Sequence, residues 1–289
     1  MNRNKSILAL GAIALMSSAT FAGTASAADM AMAPQPYYAP PAPPQEDFGG
    51  WYLRGDIGQT NSRGDLHYAA MDTFAASNTR LLRGGQGFGG GTSYGLGVGY
   101  QFNSWFRADL TGEYRSKVGF NATDFITFTP GGVLADNYVG GYSSWVGLAN
   151  AYVDLGTWWC VTPFIGAGVG MARVEVANFT DQNLQFRPGV GTLVGQASAD
   201  SASKWNFAWA LHTGLAYKAT PNMTVELGYS YMNLGSGVTG SLTPYTGVVP
   251  GQYAVTFKDI TSHDVKLGVR WNLEAPPAYA PPPPLIRKG

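Results

Sequence analysis

Several short stretches of this 289-residue chain have the residue types of a reactive or binding site. Ser262-His263-Asp264 carries the three side chains of a hydrolase triad. On a strand, Ser262 and Asp264 point one way and His263 the other, whereas a triad needs mutual hydrogen bonds. The stretch therefore reads as a strand end. His67, His212 and His263 stand on separate segments without metal-motif spacing, and a loop contact of His67 with a metal or haem is the weaker reading. Gly166-x-Gly168-x-Gly170 lacks the spacing and the following helix of a dinucleotide site. "GGQGFGGG" (84–91) lacks the Lys-Ser/Thr ending of a phosphate loop and reads as a flexible external loop. Arg63-Gly64-Asp65 is too short to argue for a receptor, and Arg54-Gly55-Asp56 repeats it within a strand. Cys160 is the single cysteine, which excludes an internal disulfide and a multi-cysteine metal site, and it reads as a turn residue beside Trp158 and Trp159. No catalytic residue, cofactor or metal is predicted.

The chemistry that remains is ionic. In "FRADLTGEYR" (106–115), Phe106, Ala108, Leu110, Gly112 and Tyr114 share one parity, and Arg107, Asp109, Thr111, Glu113 and Arg115 the other. Side chains alternate across a strand, so one face is apolar and one ionised. The same rule along the chain collects Arg54, Arg107, Arg115, Lys204, Lys218, Lys266 and Arg270 with Asp56, Asp109, Glu113, Asp154, Glu226 and Asp264 on the charged face. His212 joins them by parity. Seven cations against six anions are nearly balanced, as a hydrogen-bonded network across neighbouring strands requires. The expected role is a structural plug, with a small water-filled pore as the rival.

The elements that must position these groups repeat the alternation eight times, at 51–60, 93–102, 106–115, 144–155, 162–174, 204–218, 223–232 and 264–273. Each is about 10 residues, the length a tilted strand needs to cross a bilayer. Long connections at 61–92, 116–143, 175–203 and 233–263 alternate with short ones at 103–104, 156–161 and 219–222, so all the long ones emerge on one side. The fold expected is all-β: an eight-stranded antiparallel up-and-down transmembrane β-barrel with long external loops and short periplasmic turns. In a soluble lipocalin-like barrel, Gly95, Gly97, Gly99, Gly166, Gly168 and Gly170 would face water, where glycine is a poor strand residue. Inside a narrow barrel they make room for long side chains. The charges are therefore placed inside and the apolar face against lipid. Aromatics near segment ends, such as Trp51, Tyr100, Trp205, Tyr231 and Trp271, fit two interfacial girdles.

Arg3 and Lys5, the apolar run 7–16 and the small-x-small Ala25-Ser26-Ala27 read as a cleaved secretory signal over 1–27. Its loss turns the 18 basic and 18 acidic residues of the chain into 16 and 18, which gives no reason to expect nucleic acid as a partner. Pro-rich stretches at 33–45 and 275–284 should be extended and unable to build a core. The expected organisation is thus signal 1–27, periplasmic segment 28–49, barrel 50–273 and periplasmic tail 274–289.

"GGWYLRGDIG", "YGLGVGYQF", "ANAYVDLG", "VTPFIGAGVG", "VELGYSYMNLG" and "HDVKLGVRW" together resemble the small OmpA-type outer-membrane β-barrel proteins of α-proteobacteria, a porin and surface-antigen family. Such barrels commonly end on a terminal aromatic, whereas this chain continues past Leu273. The resemblance implies an outer-membrane protein of a Gram-negative bacterium, concerned with envelope integrity and surface interaction. Outer-membrane lipid would surround it, the long loops would present any extracellular ligand site, and the Pro-rich ends would contact cell wall or a periplasmic partner. Its rivals are a general diffusion porin, a barrel enzyme, for which no constellation is found, and a soluble exported lipocalin-like binder.

Overall fold

The computed structural model describes residues 49–68, 80–128, 131–246 and 254–273. The expected signal peptide, both Pro-rich stretches and the tail beyond Leu273 lie outside the described residues. The elements are β1 (Gly50–Tyr68), β2 (Arg80–Phe88), β3 (Gly90–Gln101), β4 (Phe106–Thr127), β5 (Val133–Asp154), β6 (Val161–Arg187), β7 (Gly191–Ala199), β8 (Ala202–Lys218), β9 (Met223–Val238), β10 (Leu242–Thr246) and β11 (Val255–Asn272). Eight of them, β1, β3, β4, β5, β6, β8, β9 and β11, pair antiparallel in a closed ring.

The closure has a definite stagger. Stepping from Tyr52 through the paired residues Gly99, Asp109, Asn150, Gly168, Ala210, Met232 and Ser262 returns to β1 at Ser62, ten residues further on. Eight strands with that stagger tilt by about 40° and enclose a space that side chains can fill. Leu96 is 74% exposed and Leu110 63% on the outer surface, while Arg107 is 0% exposed within. Glycine is required where neighbouring strands crowd. A methyl group on Gly97 would stand 2.8 Å from the Leu110 carbonyl oxygen and 3.1 Å from Arg54 Cγ, so the arginine stem occupies the space the glycine leaves.

Each short turn has its own closing device. Asn103 Oδ1 accepts from the backbone N–H groups of Trp105 (3.0 Å) and Phe106 (2.7 Å), an Asx turn. Trp159 and Cys160 take φ of 49° and 66° between the bridged Trp158 and Val161, the left-handed pair that suits a two-residue hairpin. Thr220 Oγ1 accepts from the Met223 N–H at 3.0 Å.

Among the described residues, much of each long connection is strand rather than irregular loop. β1, β4, β5, β6, β9 and β11 run well into them, and β2, β7 and β10 lie within them. Apart from Gly89 between them, the glycine run 84–91 is part of β2 and β3, and Arg63, Gly64, Asp65 and His67 belong to β1. β2 adds to β4, β7 to β6 and β10 to β7, so a six-stranded sheet β2-β4-β5-β6-β7-β10 rises above the ring. The alternation is interrupted because its phase changes. Pairing shifts between Arg115 and Val118 on β4, and positive φ at Asn178 (56°), Gly235 (79°) and Asp259 (51°) marks further irregularities on β6, β9 and β11. An extra residue turns every later side chain to the other face. On β4 the inward residues are odd-numbered through Arg115 and even-numbered from Val118. Above these bulges the interior is apolar: Val118, Phe120, Phe179, Phe257 and Ile260 pack together, with Phe120 and Phe257 ring centroids 4.4 Å apart.

Candidate functional site

The lumen below the apolar layer holds two linked ionic clusters. In the upper one, Arg115 of β4 donates to both Asp264 carboxylate oxygens of β11 at 2.8 Å and to Glu113 Oε1 at 2.9 Å. Its second terminal nitrogen also donates to Ser262. Lys266 donates to Glu113 and lies 4.0 Å from Asp56.

The lower cluster is centred on Arg54 of β1, which donates to Asp109 Oδ2 at 3.0 Å and to the Tyr152 hydroxyl at 2.8 Å. It lies 3.7 Å from both Asp56 and Glu226. Asp109 also accepts from the Tyr52 hydroxyl (3.1 Å) and Asn150 Nδ2 (2.8 Å). Arg107 reaches Asp154 at 3.3 Å and Glu226 at 3.5 Å, and Glu226 is 3.5 Å from Arg270 Nε. The Arg107 guanidinium stacks 4.2 Å over the Tyr152 ring and 4.9 Å from that of Phe164, which shields it from water while giving cation–π attraction. His212 bonds Ser230 Oγ at 2.8 Å and Asn150 Oδ1 at 3.2 Å.

Twelve of the fourteen residues expected inside are therefore brought together: Arg54, Asp56, Arg107, Asp109, Glu113, Arg115, Asp154, His212, Glu226, Asp264, Lys266 and Arg270. Lys204 and Lys218 are corrected: both are exposed. Lys204 lies where β8 has outrun its pairing with β9, and its Nζ donates to Ser236 Oγ at 2.7 Å. Lys218 is the last residue of β8, at the open mouth, with its backbone N–H on the Cys160 carbonyl. The lumen thus holds five cations against six anions. Counting charges alone passed over Tyr52, Asn150, Tyr152 and Ser262, although parity put Tyr52 beside Arg54.

Such groups are costly to bury unless paired, and removing one partner strands the other. A cavity of about 30 Å³ remains among Arg54, Asp56, Tyr152, His212, Glu226 and Lys266, the size of a water site. The Ser-His-Asp sequence is split as strand geometry requires: Ser262 and Asp264 join Arg115 inside, whereas His263 points out and bonds the Tyr229 hydroxyl at 2.6 Å. Among the described residues no group of three His, Cys, Asp or Glu side chains is arranged to hold a metal.

A second polar feature lies above the apolar layer. Asp124, Asp136 and Asp181 are buried on adjacent strands, with Asp124 opposite Asp136 and Asp181 opposite Tyr138. Arg83 of β2 stands opposite Asp124 in register. Burial, reinforced by the charge of Asp181, pushes the Asp136 carboxyl up to about 7, and burial raises Asp181 to about 6.

With this geometry in place, residues 12–272 match the family model described as outer membrane protein beta-barrel domain. The chain belongs to that family. An uncharacterized protein of Brucella abortus (strain 2308) is 33% identical over 231 residues, covering 75% of this chain and 78% of the relative. Outer membrane protein PagN of Salmonella typhimurium is 28% identical over 229 residues, covering 77% and 89%. Among solved structures, Neisserial surface protein A is similar at 17% identity with a TM-score of 0.40, covering 78% of this chain and 100% of that one. As an outer-membrane β-barrel the chain needs its interior charges satisfied from within.

Two outcomes follow. Arg115→Leu leaves Asp264 and Glu113 without their shared partner and should lower the unfolding free energy by about 3–5 kcal/mol, less what water screens. Arg115→Leu combined with Asp264→Leu should recover part of that loss in urea titrations, and a double variant weaker than the single one would contradict the pairing. The acidic trio gives the second. Unfolded carboxyls titrate near about 3.9, so between about pH 4 and 7 the folded chain holds more protons than the unfolded one. The contribution of Asp136 to stability should therefore fall as pH rises through that window and level off above it. Asp136→Asn should flatten this part of the profile, and a stability difference from wild type that does not vary across the window would exclude the assignment.

Proposed function

We propose that this outer-membrane barrel is a closed, non-enzymatic anchor of the cell envelope that carries its external sheet at the cell surface. On this reading a cleaved signal exports the chain, the outward apolar band meets lipid, and the sheet above the ring holds whatever surface contacts the protein makes. The observation that carries the proposal is the filling of the lumen. A charge network crosses it, an apolar layer of Val118, Phe120, Phe179, Phe257 and Ile260 lies above, and the cavity within the network is about 30 Å³. A diffusion pore needs a continuous water column, and side chains crossing the lumen at two levels support a closed barrel instead.

Single-channel recording in planar bilayers tests this. The wild-type barrel should show no steady conductance. Asp109→Ala with Glu113→Ala removes carboxylates that bind Arg54, Arg115 and Lys266, and should destabilise the barrel and bring brief channel events. A large steady wild-type conductance, unchanged by the double substitution, would replace the closed anchor with a porin.

A further inference from the structure

The outer face of the sheet that rises above the ring is built in transverse rows. Cross-strand partners share a face, and the register sets Phe125, Ala135, Leu184 and Val194 side by side across β4, β5, β6 and β7. The next row toward the ring is Thr123, Asn137, Gln182 and Gln196. An apolar row thus lies against a row of three amides and a hydroxyl. Phe125, Leu184 and Val194 are exposed, and a groove of about 340 Å³ runs over them and over Thr123, Asn137 and Gln182. That volume suits a small ligand rather than a single water. Asp136, which touches the groove floor, faces the interior and is buried. Over 121–127, 133–139, 180–186 and 192–198, no outward position carries an ionisable side chain.

We propose that this groove binds an uncharged oligosaccharide from outside the cell. The inference rests on reading the rising sheet as the cell-surface part of the protein, and it adds what that surface recognises. Charge is the first argument. A face without ionisable groups offers nothing to a sulfated or phosphorylated glycan, whose charges would lose water without compensation. The pairing of the two rows is the second. A sugar ring has apolar C–H faces and a rim of hydroxyls. A chain lying along the apolar row rests those faces on Phe125, Leu184 and Val194 and turns its hydroxyls to the amides beside them. Asn137, Gln182 and Gln196 each supply donors and an acceptor. Thr123 donates to Asn137 Oδ1 at 3.4 Å, leaving Asn137 Nδ2 to donate to a ligand. The side-chain amides of Gln182 and Gln196 make no hydrogen bond among the described residues. The rows cross four strands, about 14 Å at the usual strand spacing, which accommodates a short chain of rings. Side chains held on strands also lose little freedom when a ligand binds.

The test titrates the full chain, folded in amine-oxide micelles that carry no sugar headgroup, with maltoheptaose, cellohexaose and chitohexaose, and follows the heat of binding. At least one should bind saturably, with the same affinity at low and high salt. Gln182→Ala combined with Gln196→Ala should weaken that binding about tenfold, the scale of the lost neutral hydrogen bonds. Phe125→Ala should weaken it through the apolar row. These positions are exposed, so both variants should keep the wild-type circular dichroism, and Asn137→Ala gives a third reading should either fail to fold. Absence of binding by all three sugars, binding that survives the substitutions or falls with salt, or equal competition by heparin would overturn the proposal. Dimerisation with rising protein concentration, lost in Phe125→Ala and unaccompanied by sugar binding, would overturn it in favour of a second copy. Location is read separately, by labelling Gln182→Cys in a Cys160→Ser background on intact cells with a membrane-impermeant maleimide. Labelling without sugar binding would overturn the groove alone. No labelling would overturn the surface reading together with the groove.

Discussion

Eight strands closed with a ten-residue stagger leave an interior only as wide as the side chains that fill it, and every inward charge must then find its partner across that space. Most of the architecture follows. Arg54 can extend because Gly97 on β3 gives way, Gly166 on β6 leaves room for the Tyr152 ring, and the rings of Tyr152 and Phe164 cover the Arg107 guanidinium. Arg115 can take both oxygens of Asp264, 149 positions away in the chain, because the two strands face each other across the lumen. The network ties together strands that make no backbone contact, a rigidity the hydrogen-bonded ladder alone does not supply.

The second device is the change of phase. The irregularities on β4, β6, β9 and β11 separate two kinds of interior without any break in the wall. Below them, the ionised inward residues come mainly from β1, β4, β9 and β11, those of β5 and β6 include Val146, Leu148 and Val174, and the outward residues are apolar. Above them, the inward face is first apolar and then carries Asp124, Asp136 and Asp181, and the outward face of the rising sheet mixes polar Asn121, Asn137 and Gln182 with exposed Phe125, Val139 and Leu184. A single rule, that whatever is enclosed must be satisfied, gives a salt-bridge lattice at one depth and an aromatic core at another.

This explains how far the sequence could be read. The eight strands of the ring, their order and the sense of their faces were legible because period-two alternation persists for about ten residues in each. The extensions were not, because a bulged residue such as Lys117 or Asn178 reverses the phase and makes a continuing strand look patternless. Glycine in "GGQGFGGG" was read as looseness, whereas here it allows close strand contact. Parity gave the charged members of the network, but it could not show where the enclosed length ends, so Lys204 and Lys218 at the open ends of β8 were counted with it. Tyr52 and Asn150 were visible by the same parity and were passed over because they carry no charge.

The central claim is that β4 turns its interior face over between Arg115 and Val118. It is tested by placing single cysteines along β4 in a Cys160→Ser background and measuring their reaction with a water-soluble maleimide in folded barrels. Positions 121, 123 and 125 should react while 118, 120 and 122 stay protected, and Leu110→Cys should be reached only by a lipid-soluble reagent. Reaction at 120 and 122 with protection at 121 and 123 would mean that the phase never changes, and would contradict the account.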